Sequence, residues 1–415
     1  MTHCRTTLLA CAASLVLGIG VVASTSLRAE RLPYEDLRNF AEVLEEVRTA
    51  YVEPIDEHML LENATKGMLS QLDPASVYLD AKAFAQLQEI TSGQFGGIGL
   101  ELGFDHGRIA VVAPIDDSPG ARAGILPGDI VTSLDGIAIK NLTLSDALEH
   151  MRGAPGTAME LTVFREGKGL LHFNLTRDTI NVVSVRGDIP EHDYLYLRIA
   201  QFQNNTGRDL VTVFNRLRNK SGGRLKGVVL DLRNNPGGVV QSSVEVADAF
   251  LDGGVIVTTR GRMIGAAQTY SATRGDIAQG APIVVLMNDG SASAAEIVAG
   301  ALQDQKRAVV VGTRSYGKGS VQTVIPLSGN RGLKLTTALY FTPAGRSIQS
   351  KGIEPDVTVA TTIFVSRPDT SLPPPAAQLG AGNPAEPSGP YQGPDQQLAA
   401  ALSVLRKANT ASAAR

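Results

Sequence analysis

Only two cysteines occur in 415 residues, Cys4 and Cys11, and both lie in the opening segment. A mature chain cut after that segment carries no thiol, which removes disulfides, thiolate catalysis and Cys-ligated zinc together. Tryptophan is absent. Charge of one sign is also missing: 38 Lys and Arg face 41 Asp and Glu, with no long basic run. The electrostatic footprint of a nucleic-acid-binding protein is therefore not there, and nucleic acid is not expected as a partner. The 43 Gly and 21 Pro follow no short period, which excludes a collagen-like or low-complexity polymer. What remains is a turn-rich globular chain, 43% hydrophobic and 19% charged, long enough for roughly two to four domains.

The ends differ from the middle. Arg5 precedes an apolar run from Leu8 to Ala23, followed by small and polar residues, so residues 1–29 read as an export signal or an uncleaved membrane anchor. Export places the protein in the bacterial periplasm or cell envelope. Near the other end, residues 367–396 concentrate Pro, Gly, Ala and Ser, the composition of a disordered linker. Leu398, Leu402 and Leu405 then recur at helical spacing, as a short helix that either docks or stands alone, so 363–415 is taken as linker plus helix.

Between the ends, three patterns follow one another. Residues 30–94 carry two helical repeats, Leu37, Phe40, Val43, Leu44, Val47 and Tyr51, then Met59, Leu60, Met68 and Leu69, which pack against the rest or pair two subunits. Residues 95–176 hold short strands at 98–102, 109–113, 129–134, 158–164 and 170–175, with helical pieces at Ser118-Pro119 and from Thr143 to Met151. From Tyr194, apolar strands at 195–199, 227–232, 282–287 and 308–311 alternate with helices at 206–220, 239–251 and 293–302. That is an α/β layer architecture whose strands are covered on both faces.

Three segments of the last region carry chemistry. After the strand ending at Met287, Asn288-Asp289-Gly290-Ser291-Ala292-Ser293 leads into a helix, so Ser293 stands at a helix start. With Glu296 it forms a Ser-x-x-Glu capping box, which a helix needs in any case. The strand-to-helix corner also exposes a hydroxyl beside free N–H groups that favour a developing negative charge. None of the six histidines stands in a compelling motif, so a base for that hydroxyl falls to Lys318, between Gly317 and Gly319 without an acidic neighbour in sequence. An unpaired, desolvated lysine can be neutral, whereas an exposed loop lysine stays charged. The third segment, Asp231 to Gly238, can turn glycine N–H groups toward the same strand ends as an oxyanion hole, and it lacks the Gly-Lys-Ser/Thr of a phosphate loop.

Gly97-Ile98-Gly99-Leu100-Glu101-Leu102, with Ser118 to Ile125 and Pro127 to Val131 downstream, resembles a PDZ domain. In that family the Gly-rich loop, here Gly97, Ile98, Gly99 and Leu100, meets a peptide's terminal carboxylate and the following strand adds the peptide to the sheet. Arg152 is either a second contact for that carboxylate or a solvated helix-end charge. Together with Asp231–Gly238, Gly290–Glu296, Tyr316-Gly317-Lys318-Gly319 with Gln322, Tyr340–Arg346 and Gly352–Asp356, the ordered set resembles the carboxyl-terminal processing peptidases of family S41 over residues 34–360.

That resemblance implies an α/β (α+β multidomain) fold: the helical N-terminal region, an inserted PDZ-like domain, and a peptidase core of the ClpP/crotonase-like type over 177–362. It implies Ser293 as nucleophile, Lys318 as general base, Gln322 as the residue orienting it, and N–H groups of Gly237 and Ala294 as oxyanion hole. No metal or organic cofactor is required. The expected substrates are exported proteins or peptides with free C-termini, cut near those ends after PDZ capture. A homo-oligomer through the N-terminal helices and a helper protein are the further partners. The side chains of Lys318 and Gln322 meet only if the chain at 317–322 is bent or briefly helical, since four residues of extended strand span about 13 Å. The rival readings are an inactive PDZ peptide-binding scaffold and an acyl-thioester hydratase.

Overall fold

The computed structural model describes residues 33–105, 108–263, 265–360 and 395–413. The signal-or-anchor segment and the Pro-rich stretch as far as residue 394 lie outside the described residues. No helix among the described residues is long and apolar enough to cross a membrane.

The chain divides into two units after Met68. In the smaller one, the helix Tyr34–Ala50 has no buried residue. Its apolar row Tyr34, Leu37, Phe40 and Val43 is exposed, while Arg38–Glu42 and Arg48–Glu45 pairs staple the polar side. Residues 69–94 were expected with this helical region but fall in the larger unit, because Val77–Leu79 are extended and pair with Gly332–Lys334.

After the strand Val77–Leu79 comes the helix Ala81–Ser92, capped by the Asp80 side chain on the Ala83 N–H. The PDZ-like module follows as an insertion: Gln94–Gly97 enters and Asp178–Asn181 leaves as one antiparallel ladder. Inside lies a sheet ordered Leu100–Asp105, Arg108–Pro114, Ile130–Leu134, Ala158–Arg165, Gly169–Thr176. Alternation along Ala158–Arg165 sends Met159, Leu161 and Val163 into a core shared with Ala147 and Met151 of the helix Leu144–Met151. Leu100–Asp105 is an edge strand of that sheet with the 144–151 helix alongside.

The α/β core carries two sheets. The first runs Val185–Glu191, Tyr194–Ile199, Gly227–Asp231, Ile283–Met287, Ala308–Gly312, Val357–Thr358, parallel after its first pair. Its central strands are apolar on both faces because both are covered. Val228, Leu230, Val285 and Val310 face the helices Thr206–Lys220, Val240–Ala249 and Ala294–Asp304. Val229, Val284, Leu286 and Val311 face Ala401, Leu402 and Leu405 of the helix Gln396–Ala413, so the C-terminal helix docks.

The second sheet was not expected. It is antiparallel, ordered Val77–Leu79, Arg331–Phe341, Val255–Gly261, Thr269–Ser271, with Ser320–Leu327 paired along the other side of Arg331–Phe341. Lys334 therefore sits between Val77 and Val324.

Candidate active site

Consecutive ends of the parallel sheet build one side of the site. The strand Ile283–Met287 is wholly buried and breaks at Asn288, whose side chain locks two turns together. Its Oδ1 accepts from the Asn234 and Gly290 N–H groups, and its Nδ2 donates to Asn234 Oδ1. Ser291 belongs to the same lock: fully buried, its Oγ donates to Leu232 O at 2.8 Å and accepts from the Asn288 N–H. Its hydroxyl is committed to holding two strand ends together.

Ser293 differs. Its φ of 56° and ψ of −115° put a non-glycine residue on a sharp strand-to-helix turn. Such a conformation costs about 1–3 kcal/mol and persists only where the surroundings impose it. Part of what imposes it is Glu296, whose Oε2 accepts the Ser293 N–H at 2.7 Å. The Glu296 N–H goes to the Ser293 carbonyl, and the Ser293 Oγ bonds instead to the phenol of Tyr340 at 3.0 Å.

Glu296 does more than close a cap. Its Oε1 accepts from Ser315 Oγ and the Gly317 N–H, and its Oε2 also accepts the Lys318 N–H at 2.9 Å. One carboxylate oxygen thus holds the backbones of Ser293 and Lys318, which cannot lie farther apart than those two hydrogen bonds allow. Burial pushes this carboxyl above its ordinary value, against four hydrogen bonds of which those from Ser315, Ser293, Lys318 and Gly317 all pull it down.

Lys318 is half-buried, and burial holds its amine below the ordinary lysine value, while the carboxylates of Asp73 and Glu296 oppose the shift. Lys334, on the adjacent strand, is lowered by burial and then by the charge of Lys318. Repulsion is mutual, so Lys334 also favours a neutral Lys318. Asp73 accepts from the Ala75 and Ser76 N–H groups, Ser76 Oγ and Thr336 Oγ1. Ser76 Oγ in turn takes the Thr336 N–H, which docks the Asp73 turn on the antiparallel sheet.

Gln322 is placed differently from the expectation. The chain from Ser320 is a strand, not a helical turn, with a bulge between Val321 and Gln322. Gln322 Nε2 donates to Ser320 Oγ at 2.9 Å and lies 3.4 Å from Thr336 Oγ1. The extra residue of that bulge is Thr337 on the partner strand, and Gln322 meets Ser320 as an i,i+2 neighbour on one face of its own strand. No hydrogen bond joins Gln322 or Ser293 Oγ to the Lys318 amine among the described residues.

The Asp231–Gly238 loop is drawn against Ser293. A Cβ on Gly237, whose φ is +102°, would stand 2.7 Å from the Ser293 Cβ and 3.0 Å from the Ala294 N, so only glycine fits. The loop is pinned by Asn235, which donates from Nδ2 to Ile199 O and accepts the Gly237 N–H on Oδ1 at 2.9 Å. Gly237 was expected as an open donor, and its N–H is instead engaged by its own loop. Ala294, at the first helical position, has an N–H with no partner among the described residues, as helix geometry leaves it.

A clasp lies beneath this loop. Arg233 is held between the fully buried Asp231 at 2.6 Å and Asp395 at 2.8 Å, and Asp395 also accepts the Leu398 N–H at the start of the C-terminal helix. In the PDZ-like module, Ile98 and Leu100 bury their side chains in its core, and Gly99 at φ +70° lies where a Cβ would strike Ser118, with the Gly99 carbonyl taking the Ile115 N–H and Ser118 Oγ. Arg152 is the exposed C-cap of the 144–151 helix, as the second expectation had it, and it pairs with Glu89 at 2.7 Å and stacks over Phe95. Among the described residues no cluster of three or more His, Cys, Asp or Glu could hold a metal ion.

Asp73, Glu296, Lys334 and Tyr340 were not singled out for the chemistry from sequence. Asp73-Pro74 reads as a plain turn, and Glu296 as a cap. Tyr340 stood only within the Tyr340–Arg346 motif, and its burial, which calls for a polar partner, shows only in the structure.

Three family models match the chain: one described as Peptidase family S41 over residues 193–359, a PDZ domain over 111–165, and the Activating protease CtpB N-terminal domain over 20–83. A carboxy-terminal-processing protease of Bartonella bacilliformis is 46% identical over 84% of this chain and 80% of its own. Carboxy-terminal processing protease CtpA of Bacillus subtilis is 33% identical over 78% of this chain and 69% of its own. Among solved structures, a photosystem II D1 C-terminal processing protease is 32% identical, covers 79% of this chain and 87% of its own, and has a TM-score of 0.47.

Proposed function

The chain belongs to the S41 family of peptidases, and from that premise we propose that this serine-type protease uses Ser293 as nucleophile and Lys318 as general base. The observation that carries the assignment is the shared Glu296 oxygen, which fixes the serine and lysine backbones on one anchor. Lys318 takes the Ser293 proton, the acyl-enzyme forms, and Lys318 then activates the hydrolytic water. Burial lowers the amine below the ordinary lysine value, toward the neutral form that this requires.

Ala294 and Gly237 form the oxyanion hole. The Ala294 N–H stands open, and the Gly237 N–H reaches the acyl oxygen by leaving Asn235 Oδ1. Gln322 orients Lys318 as a member of the Asp73–Thr336–Gln322–Ser320 chain of polar side chains.

The substrates are exported proteins with free C-termini, presented along the Leu100–Asp105 edge strand with Gly97, Ile98, Gly99 and Leu100 at its mouth. The export-type leader supports action in the periplasm or cell envelope, with anchoring through the same segment as the variant form. The exposed row Tyr34, Leu37, Phe40 and Val43 supports pairing with a second copy, and a helper protein is a further partner.

The test is a pair of alanine variants assayed on a peptide substrate with a free C-terminus. Ser293→Ala should lose about 10⁴-fold or more in kcat. Ser291→Ala should keep most activity and lose stability, at about 1–3 kcal/mol for its buried partners. The reverse pattern would give the nucleophile to Ser291.

A further inference from the structure

Among the described residues the Ser293 hydroxyl has one hydrogen-bond partner, and the serine–lysine scheme gives that partner no task. Tyr340 is only 1% exposed, and its oxygen lies 3.0 Å from Ser293 Oγ. The ring is fixed from behind. Its strand pairs Tyr340 with Thr259, and its backbone N–H donates to the carbonyl of Gly319, the neighbour of Lys318. Burial pushes the phenol up to about 12, so it keeps its proton wherever the enzyme works near neutrality.

A serine proton bound for an amine cannot point at the phenol in the same instant. In the reacting arrangement the phenol must therefore be the donor. We propose that Tyr340 is a catalytic residue whose O–H donates to Ser293 Oγ and stabilises the charge on that oxygen each time a bond to it breaks. The inference rests on the assignment of Ser293 and Lys318 above.

In acylation the Oγ–H bond breaks toward the Lys318 amine and an Oγ lone pair forms the bond to the carbonyl carbon. The π pair moves to the carbonyl oxygen, then returns to expel the amine, which takes the proton from the Lys318 ammonium. In deacylation water gives a proton to Lys318 and its oxygen bonds to the acyl carbon. Collapse breaks the carbon–Oγ bond, and Oγ leaves with the pair and regains a proton from Lys318. Tyr340 transfers no proton; it lends a hydrogen bond while Oγ is anionic in part.

Tyr340→Phe keeps the buried ring and removes the oxygen. The expected result is a fall in kcat of about 10- to 100-fold with KM unchanged, and an equal fall in the rate of labelling by a fluorophosphonate. Unchanged or faster turnover overturns the proposal, and leaves the Ser293 assignment standing, since that is judged by Ser293→Ala. A second measurement does not depend on how well the phenylalanine variant folds: 3-fluorotyrosine incorporated at position 340 makes the phenol a stronger donor. Donation to Oγ predicts faster labelling; slower or unaltered labelling overturns it.

Discussion

The two sheets of the peptidase core divide the work unequally. The parallel sheet is apolar throughout, and its strand ends supply groups that must not move: the Ser293 turn, the Gly237 loop and the Asn288 lock. The antiparallel sheet carries charge in its interior. Lys334 and Thr336 lie on one strand, Gln322 on its neighbour, and Asp73 is docked by Ser76 on the same strand. One sheet fixes atoms, and the other borders the Lys318 amine, which burial holds below its ordinary value and the Asp73 and Glu296 carboxylates raise.

If that division is right, variants on the two sides should fail in different ways. Lys318→Arg is the largest case, since a guanidinium does not give up its proton near neutrality. Turnover should drop by about 10³-fold or more at every pH, with the fold kept, as a thermal melt would show. Residual activity that still rises with pH would place the base elsewhere. Gly237→Ala comes next. The methyl group would press on Ser293, and kcat should fall roughly 10²- to 10³-fold without a shift in the pH profile.

Variants beside the lysine should move the profile and spare its height. The Asp73 carboxylate favours the ammonium form, so Asp73→Asn lets the amine lose its proton at lower pH, and the rising limb of kcat/KM should move toward acid. Lys334→Met removes a like charge and should move it toward alkali. A shift in the same direction for both would dissolve the contrast between the sheets.

The division also explains what could be read from the sequence. The helix Thr206–Lys220 begins and ends where its periodicity says, and the buried strands Gly227–Asp231 and Ile283–Met287 stand out as apolar runs between turn residues. Those signals are local. Ser320–Leu327 and Arg331–Phe341 have mixed faces, since one side of the hairpin is partly solvated and the other surrounds an amine, and no clean period survives that. Ser293, Lys318, Gln322, Gly237 and Ala294 were named by motif, but the partners they have in the structure were not. Asp73 and Thr336 meet across 263 positions, and Ser293 and Tyr340 across 47, by strand register that no short window contains. The bulge opposite Val321 and Gln322 was missed for the same reason: the chain at 317–322 was expected to be bent or briefly helical, and from Ser320 it is a strand whose partner carries one extra residue, Thr337.

The clasp on Arg233 sets an order in time. A chain is made from its amino end, so Asp231 and Arg233 exist as a pair well before Asp395 appears. Until Leu405 has followed, Val229, Val284 and Val311 have no helix over them. The loop that presses Gly237 against Ser293 thus gains its second anchor among the later steps of biosynthesis. A nascent chain of this protease holds Ser293 long before it can brace the loop that packs against it.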